Sequence, residues 1–238
     1  MAVPKSLKSN PLIVGLDVDT RDRALQLVQE LSDQVGAFKL GPRLIHRYGE
    51  SLVREIASRA PVFVDCKFFD IPSTMVAAVR ASFDSGASLV TVHAQAGREA
   101  LTELAKLEKS LNQERPFQVL CVTMLTSFSP ETLPPVLKTQ SLRDHVKSLA
   151  NLVKDSGLTG IVCSGEELVD LQGQGFYLVT PGIRLPLEKA DDQKRVMGPA
   201  EAIAQGASAL VVARPIIEAA NPRKAAQEYA VEILKQQK

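Results

Sequence analysis

The sequence predicts an α/β chain folded as a single-domain (β/α)8 TIM barrel, and three observations carry that prediction. Eight short apolar runs rich in β-branched residues recur along the 238 residues, and helical-period stretches lie between them. The runs are apolar on both faces, which suits a parallel sheet covered by helices. No Gly/Ser-rich linker or shift in composition divides residues 1–238, so one barrel domain is expected. An open doubly wound sheet also fits the alternation but usually needs fewer strands, and it stands in reserve.

In chain order, the first strand is Leu12 to Leu16, an aliphatic run, and the amphipathic stretch Arg21 to Gln34 follows it as a helix. Ala37 to Leu40 is the second strand, and Leu44 to Arg59 its helix. Val62 to Val64 is the third, behind Pro61, and helical period resumes from Thr74 to Ser85. Ser88 to Val92 and Gln118 to Val122 are the fourth and fifth, with Gly97 to Ser110 helical between them. The sixth strand, Gly160 to Cys163, lies between the helices Leu142 to Lys154 and Glu166 to Leu171. Phe176 to Val179 and Ala209 to Val212 complete the strands, with Pro199 to Gln205 helical between them. Pro222 to Lys235 closes the chain as an amphipathic helix.

Composition narrows the function. Hydrophobic residues make up 45% and charged residues 23%, ordinary for a soluble globular protein. Net charge is +1 and the Lys and Arg residues are scattered, which argues against nucleic acid and against a membrane surface as partners. No run approaches the ~20 apolar residues of a spanning helix, and Met1 to Asn10 lacks the apolar stretch of a signal peptide. A cytoplasmic protein is expected. Cys66, Cys121 and Cys163 lie in or beside strand-like runs without CxxC spacing, as reduced core thiols would.

In such a barrel, chemistry sits at the carboxyl ends of the strands. Those ends carry Asp17, Lys39, Asp65 with Lys67, His93, Thr126 with Ser127, Ser164, Thr180 to Arg184, and Arg214. The densest is the run Asp65-Cys66-Lys67-Phe68-Phe69-Asp70-Ile71-Pro72-Ser73-Thr74. Alternate strand residues share a face, so Asp65 and Lys67 point the same way. Taken alone, the run fits a structural ion pair as well as a reaction centre.

Carboxylates near Lys67 favour its ammonium form, which makes it a proton donor and disfavours a Schiff-base nucleophile. Asp65, Asp70 and His93 offer ligands to a hard cation, but Lys39 and Lys67 in the same site oppose one. His93 suits a pocket wall as well as catalysis. Phosphate binding is common after strands seven and eight, where Pro181-Gly182-Ile183-Arg184 and Ala213-Arg214-Pro215 stand. Leu185 to Gly198 is a long polar connection without period, either a lid beside that phosphate or a disordered segment. Gln193 is its best-placed amide.

Taken together, these segments resemble the orotidine 5'-phosphate (OMP) decarboxylase family over nearly the whole chain. The resemblance rests on Leu16-Asp17, Phe38-Lys39, the DxKxxDIPxT run from Asp65 to Thr74, Val92-His93-Ala94, Leu125-Thr126-Ser127 and Gly160 to Ser164. Thr180 to Arg184, Asp192 to Val196 and Val212 to Ile216 complete it. It implies decarboxylation of OMP to UMP in pyrimidine biosynthesis, with Lys67 protonating C6 and Asp65 beside the departing carboxylate. Asp17 and Lys39 would hold the ribose hydroxyls, Lys39 extending a Lys-Asp-Lys-Asp network. Asp70 and Thr74 would reach the substrate of a neighbouring subunit, implying a homodimer with active sites at the interface.

By the same resemblance, Ser127 would read the pyrimidine edge and Thr126 line its pocket. Gln193 would bridge base and phosphate, and Arg184 and Arg214 would hold the phosphate. No metal or organic cofactor is implied. Two positions depart from the pattern: Ala213 replaces the usual Gly, with a modest effect on affinity expected, and Thr91 replaces the commoner Asn. The nearest rival is a Mg2+-dependent sugar-phosphate decarboxylase or hexulose-phosphate synthase with Glu at the end of strand two, where Lys39 stands here. A noncatalytic phosphate-binding barrel is the alternative of a different class, disfavoured by the intact Lys67 and flanking aspartates.

Overall fold

A computed structural model of the chain describes residues 3–186 and 196–235. Its strands are β1 (Leu12–Gly15), β2 (Ala37–Leu40), β3 (Val62–Phe68), β4 (Ala87–His93), β5 (Gln118–Val122), β6 (Gly160–Val162), β7 (Tyr177–Thr180) and β8 (Ala209–Val212). They close in sequence order into a barrel, and β1 meets β8 in parallel with Leu12 beside Leu210. The α/β barrel read from the alternation is therefore the observed architecture.

The helices are α1 (Lys5–Ser9), α2 (Arg21–Leu31), α3 (Pro42–Ala57), α4 (Pro72–Asp84), α5 (Gly97–Leu111), α6 (Leu142–Asp155), α7 (Leu168–Leu171), α8 (Pro199–Ala204), α9 (Arg214–Ile217) and α10 (Pro222–Leu234). Their starts follow local chemistry. The Thr20, Ser141 and Asn221 side chains accept backbone N–H bonds at the starts of α2, α6 and α10. Pro42, Pro72, Pro199 and Pro222 open α3, α4, α8 and α10, where a missing N–H costs nothing.

Alternation along the strands separates two apolar layers. Ile13, Ala37, Phe63, Leu89, Leu120 and Val179 belong to the cluster inside the barrel. Val14, Phe38, Val64, Val90, Cys121 and Val212 belong to the larger cluster between strands and helices. This is why the runs read as apolar on both faces.

At its amino end the barrel is closed by a segment in which the sequence shows no strand or helix of the repeat. Val3, just before α1, and Leu7, on it, join the interior cluster, and Ser6 donates to the Gly36 carbonyl at 2.9 Å. Gly36 is required here, because a methyl on it would lie 2.0 Å from the Asn10 carbonyl oxygen.

The other departure concerns β3. It runs on to Phe68, past the expected end at Val64, and its register on β4 jumps from Val64 beside Val90 to Phe68 beside Val92. Asp65, Cys66 and Lys67 fall between these two pairs, and the Lys67 N–H donates to the Thr91 side chain of β4. The Glu166 to Leu171 helix is a 3-10 turn, Gly165–Glu167, followed by α7. Residues 187–195, and with them Gln193, lie outside the described residues.

Candidate active site

Three strands bring the charged groups together at the carboxyl rim. Lys39 leaves the end of β2, Asp65 and Lys67 lie on β3, and Asp17 follows β1. The Lys67 ammonium donates to Asp65 Oδ1 at 2.8 Å. Lys39 Nζ stands 3.5 Å from Asp65 Oδ2 and donates to Asp17 Oδ1 at 3.3 Å. The order Lys67, Asp65, Lys39, Asp17 alternates in charge, and the Asp65 carboxylate is shared by two ammonium groups.

Burial decides how strongly these charges act. Side-chain exposure is 13% for Asp65 and 14% for Lys39 but 38% for Lys67 and 43% for Asp17, so the two ends of the array are open and its middle is buried. Desolvation works against the Lys39 ammonium, yet Asp65 and Asp17 more than offset it and its pKa stands above the ordinary lysine value. Desolvation likewise opposes the Asp65 carboxylate. The charges of Lys39 and Lys67, with hydrogen bonds from Lys67 and Thr91, outweigh it and hold Asp65 below the usual range. Both groups are ionised at neutral pH. The intervening Cys66 thiol is pushed up to about 11 by burial and then by Asp65, and stays protonated.

Two adjoining cavities open on this array. One, of about 270 Å³, takes Lys67 and Asp65 on one side and Thr126, Ser127, Met124 and Leu125 on another, over a floor that includes Phe63 and Val179. The other, of about 420 Å³, is lined by Asp17, Arg43, Gly182, Arg184, Ala213 and Arg214. Lys39, Pro181 and Val211 line both, so one elongated ligand can span them.

Arg184 is 7% exposed, and its backbone N–H donates to the Met197 carbonyl at 3.0 Å. The Met197 N–H donates to the Gly182 carbonyl at 3.2 Å, so the two described ends of the 185–198 connection are tied beside the basic cavity. Arg214 opens α9, with Pro215 inside its first turn.

The structure does not bring every expected residue to this place. Asp70 and Thr74 are exposed and line neither cavity, and the Asp70 carboxylate accepts the N–H of Ile71 at 2.7 Å. Phe69 and Ile71, on either side, are 61% and 64% exposed. His93 packs its ring on Phe69 at 5.5 Å, and burial and then the Lys67 charge lower its pKa, so it stays neutral. Among the described residues no group of three or more His, Cys, Asp or Glu side chains is arranged to hold a metal ion.

Two residues that sequence reasoning left unassigned belong here. Thr91 bonds to both Asp65 and Lys67, at 2.9 Å each. Arg43 lines the basic cavity and donates to the Asp17 carbonyl at 3.2 Å. The signal for Arg43 is positional: it sits in the first turn of α3, three residues beyond Leu40, the end of β2. Ser164, at the end of β6, lines neither cavity.

The fold and the polar groups gathered at its carboxyl rim define a (β/α)8 barrel of the enzymatic type. Residues 10–229 match the model of the Orotidine 5'-phosphate decarboxylase / HUMPS family, and the chain belongs to that family. A Legionella pneumophila (strain Paris) protein named orotidine 5'-phosphate decarboxylase is 40% identical over 217 residues, covering 90% of this chain and 94% of its own. A Rhodospirillum rubrum protein of the same name is 39% identical over 236 residues, covering 96% of each. The crystal structure of the Lactobacillus acidophilus orotidine 5'-phosphate decarboxylase superposes with a TM-score of 0.82 at 29% identity, over 94% of this chain and 99% of that one. Among the described residues no helix is long and apolar enough to cross a membrane.

Proposed function

We propose that this chain, acting as one catalytic domain, decarboxylates orotidine 5'-phosphate to UMP in pyrimidine biosynthesis. The observation that carries the reading is the Lys67-Asp65-Lys39-Asp17 array opening on a cavity continuous with one lined by Arg184 and Arg214. The phosphate lies with the arginines, the ribose against Asp17 and Lys39, and the pyrimidine against Thr126 and Ser127.

In this pose the substrate carboxylate faces Asp65. Two negative groups at close range raise the free energy of the bound state, and breaking the bond from C6 to the carboxylate relieves that repulsion. CO2 leaves, the electron pair stays on C6, and the Lys67 ammonium stabilises it and then gives C6 its proton. Lys67 is reprotonated from solvent. Phosphate binding far from C6 contributes to this step by holding the base in place. Gln193, outside the described residues, is assigned to the bridge between base and phosphate.

The exposed Asp70 and Thr74, flanked by exposed Phe69 and Ile71, support a homodimer in which each chain completes its partner's site. A cytoplasmic location goes with this reading. The test is incubation of EDTA-treated protein with OMP, following UMP formation, with Lys67→Ala as control. Turnover by the parent and loss in the variant are expected. Absence of turnover in folded protein overturns the proposal, and activity that returns only with Mg2+ redirects it to the sugar-phosphate branch.

A further inference from the structure

Lys67 is the one non-glycine residue with positive φ among the described residues, at 49°. Left-handed backbone is unfavourable for a long side chain, so something must hold it there. The register supplies the setting. Between Val64 beside Val90 and Phe68 beside Val92, β3 advances four residues while β4 advances two. Asp65, Cys66 and Lys67 fall within this bulge, and bulges re-aim side chains.

Opposite the bulge, on β4, is Thr91, which is fully buried. Its Oγ1 accepts the Lys67 backbone N–H at 2.9 Å and donates to Asp65 Oδ1 at 2.9 Å. The direction of both bonds is fixed by chemistry. An ionised carboxylate only accepts and an amide N–H only donates, so the single hydroxyl proton goes to Asp65 and a lone pair is left for Lys67. Asp65 Oδ1, held in this way, receives the Lys67 ammonium at 2.8 Å. One hydroxyl thus ties the main chain of Lys67 to the carboxylate that its own side chain contacts.

We propose that Thr91 is a positioning residue for proton delivery: its hydroxyl sets the aim of the Lys67 ammonium by fixing the Lys67 backbone and the Asp65 carboxylate together. The role in turnover rests on the decarboxylation reading above, whereas the fixing of the backbone does not. Thr91→Val keeps the size and β-branching and removes both bonds, while Thr91→Ser keeps the hydroxyl. For Thr91→Val, kcat for OMP falls about 10- to 100-fold with KM within about threefold, because misaimed groups slow the chemical step more than binding. Thr91→Ser stays within about threefold of the parent in both.

Amide hydrogen exchange of Lys67 provides a readout independent of turnover. Exchange is slow in the parent and in Thr91→Ser, and at least about tenfold faster in Thr91→Val. A Thr91→Val protein with parental kcat, or a Thr91→Ser protein as impaired as Thr91→Val, overturns the inference. If the parent does not convert OMP, the functional reading fails and Lys67 exchange alone decides this one, an unchanged rate in Thr91→Val overturning it. If Thr91→Val does not fold, Thr91→Ala takes its place, and an unprotected Lys67 amide in the parent is then sufficient to overturn the inference.

Discussion

Asp65 and Lys67 meet through their side chains at 2.8 Å although the backbone between them leaves regular strand geometry, with Lys67 at a φ of 49°. Strand alternation alone would put both on one face. The bulge replaces that repeat, and the pair is made by closure through Thr91 on the neighbouring strand.

The first prediction concerns the charge of this pair. Asp65→Asn keeps the shape and removes the negative group, leaving Lys39 and Lys67 close together without the anion between them. The kcat for OMP falls by ~10³-fold or more, while Lys67→Ala removes the proton donor and falls at least as far. Single-turnover kinetics with labelled carboxylate would check this, and a carboxylate-free Asp65→Asn enzyme with near-parental kcat would refute the role of the anion.

The basic cavity predicts a loss spread over binding and rate. Arg214→Ala removes a charge-assisted contact to the substrate phosphate, and kcat/KM falls about 10- to 100-fold, since such bonds are worth ~1.5–3 kcal/mol. The orotidine nucleoside, which lacks the phosphate, is turned over equally by parent and variant. An equal loss on both substrates would place Arg214 outside the phosphate site.

Small residues at one contact keep Lys39 in place. A methyl on Gly15 would lie 2.9 Å from Ala213 Cβ and 3.0 Å from Lys39 Cε. Gly15→Ala therefore costs ~1–3 kcal/mol of stability and lowers activity, and Ala213→Gly in the same chain recovers part of both. Ala213→Gly alone changes OMP affinity modestly. Additive losses in the double variant, measured by urea unfolding, would show that the two positions do not touch.

A buried carboxylate away from the rim gives a pH dependence of stability. Glu108 on α5 accepts the Val119 N–H and bonds to the Gln118 amide. Burial raises its pKa from 4.5 to about 7, despite the opposing Val119 bond. The folded chain therefore holds this proton more tightly than the unfolded one. Stability from this group falls as pH rises from 4.5 towards 7 and is flat above, a loss on the order of 3 kcal/mol. Glu108→Gln should flatten that interval in urea unfolding between pH 5 and pH 8; a variant with the parental slope would rule Glu108 out.

Sharing of sites between subunits is testable by complementation. Lys67→Ala and Asp70→Ala chains, each inactive alone, should regain about a quarter of parental activity on mixing and exchange, since half the dimers are mixed and each carries one intact site. Sedimentation across concentration checks the dimer itself. No recovery in a verified mixed dimer would assign Asp70 to its own chain.

Much of the site was legible because its residues end apolar runs: Asp17, Lys39 and Arg214 stand at or just past strand ends, Asp65 follows the apolar run Val62 to Val64 although β3 continues beyond it, and barrels place chemistry there. Thr91 was not legible in this way. It lies inside β4 and reads as one more β-branched strand residue, and only the jump in register brings its hydroxyl to Lys67. Arg43 precedes the expected helix Leu44 to Arg59 and received no reading from the sequence, and α1 carries no period that points into a barrel. His93 was ambiguous in sequence, and its neutral ring packed on Phe69 is a product of packing.

The sequence by itself determined the alternation of strand and helix, the two apolar layers and the residue types at the rim. These follow from periodicity, which is a local record of which side chains are buried. Tertiary structure decided which of those residues touch. The Lys67-Asp65-Lys39-Asp17 array and the Thr91 clasp join segments far apart in the chain, and their contacts depend on barrel closure and on the β3 bulge. No local period encodes that register, because it is set by how the whole sheet satisfies its backbone bonds and packs its core.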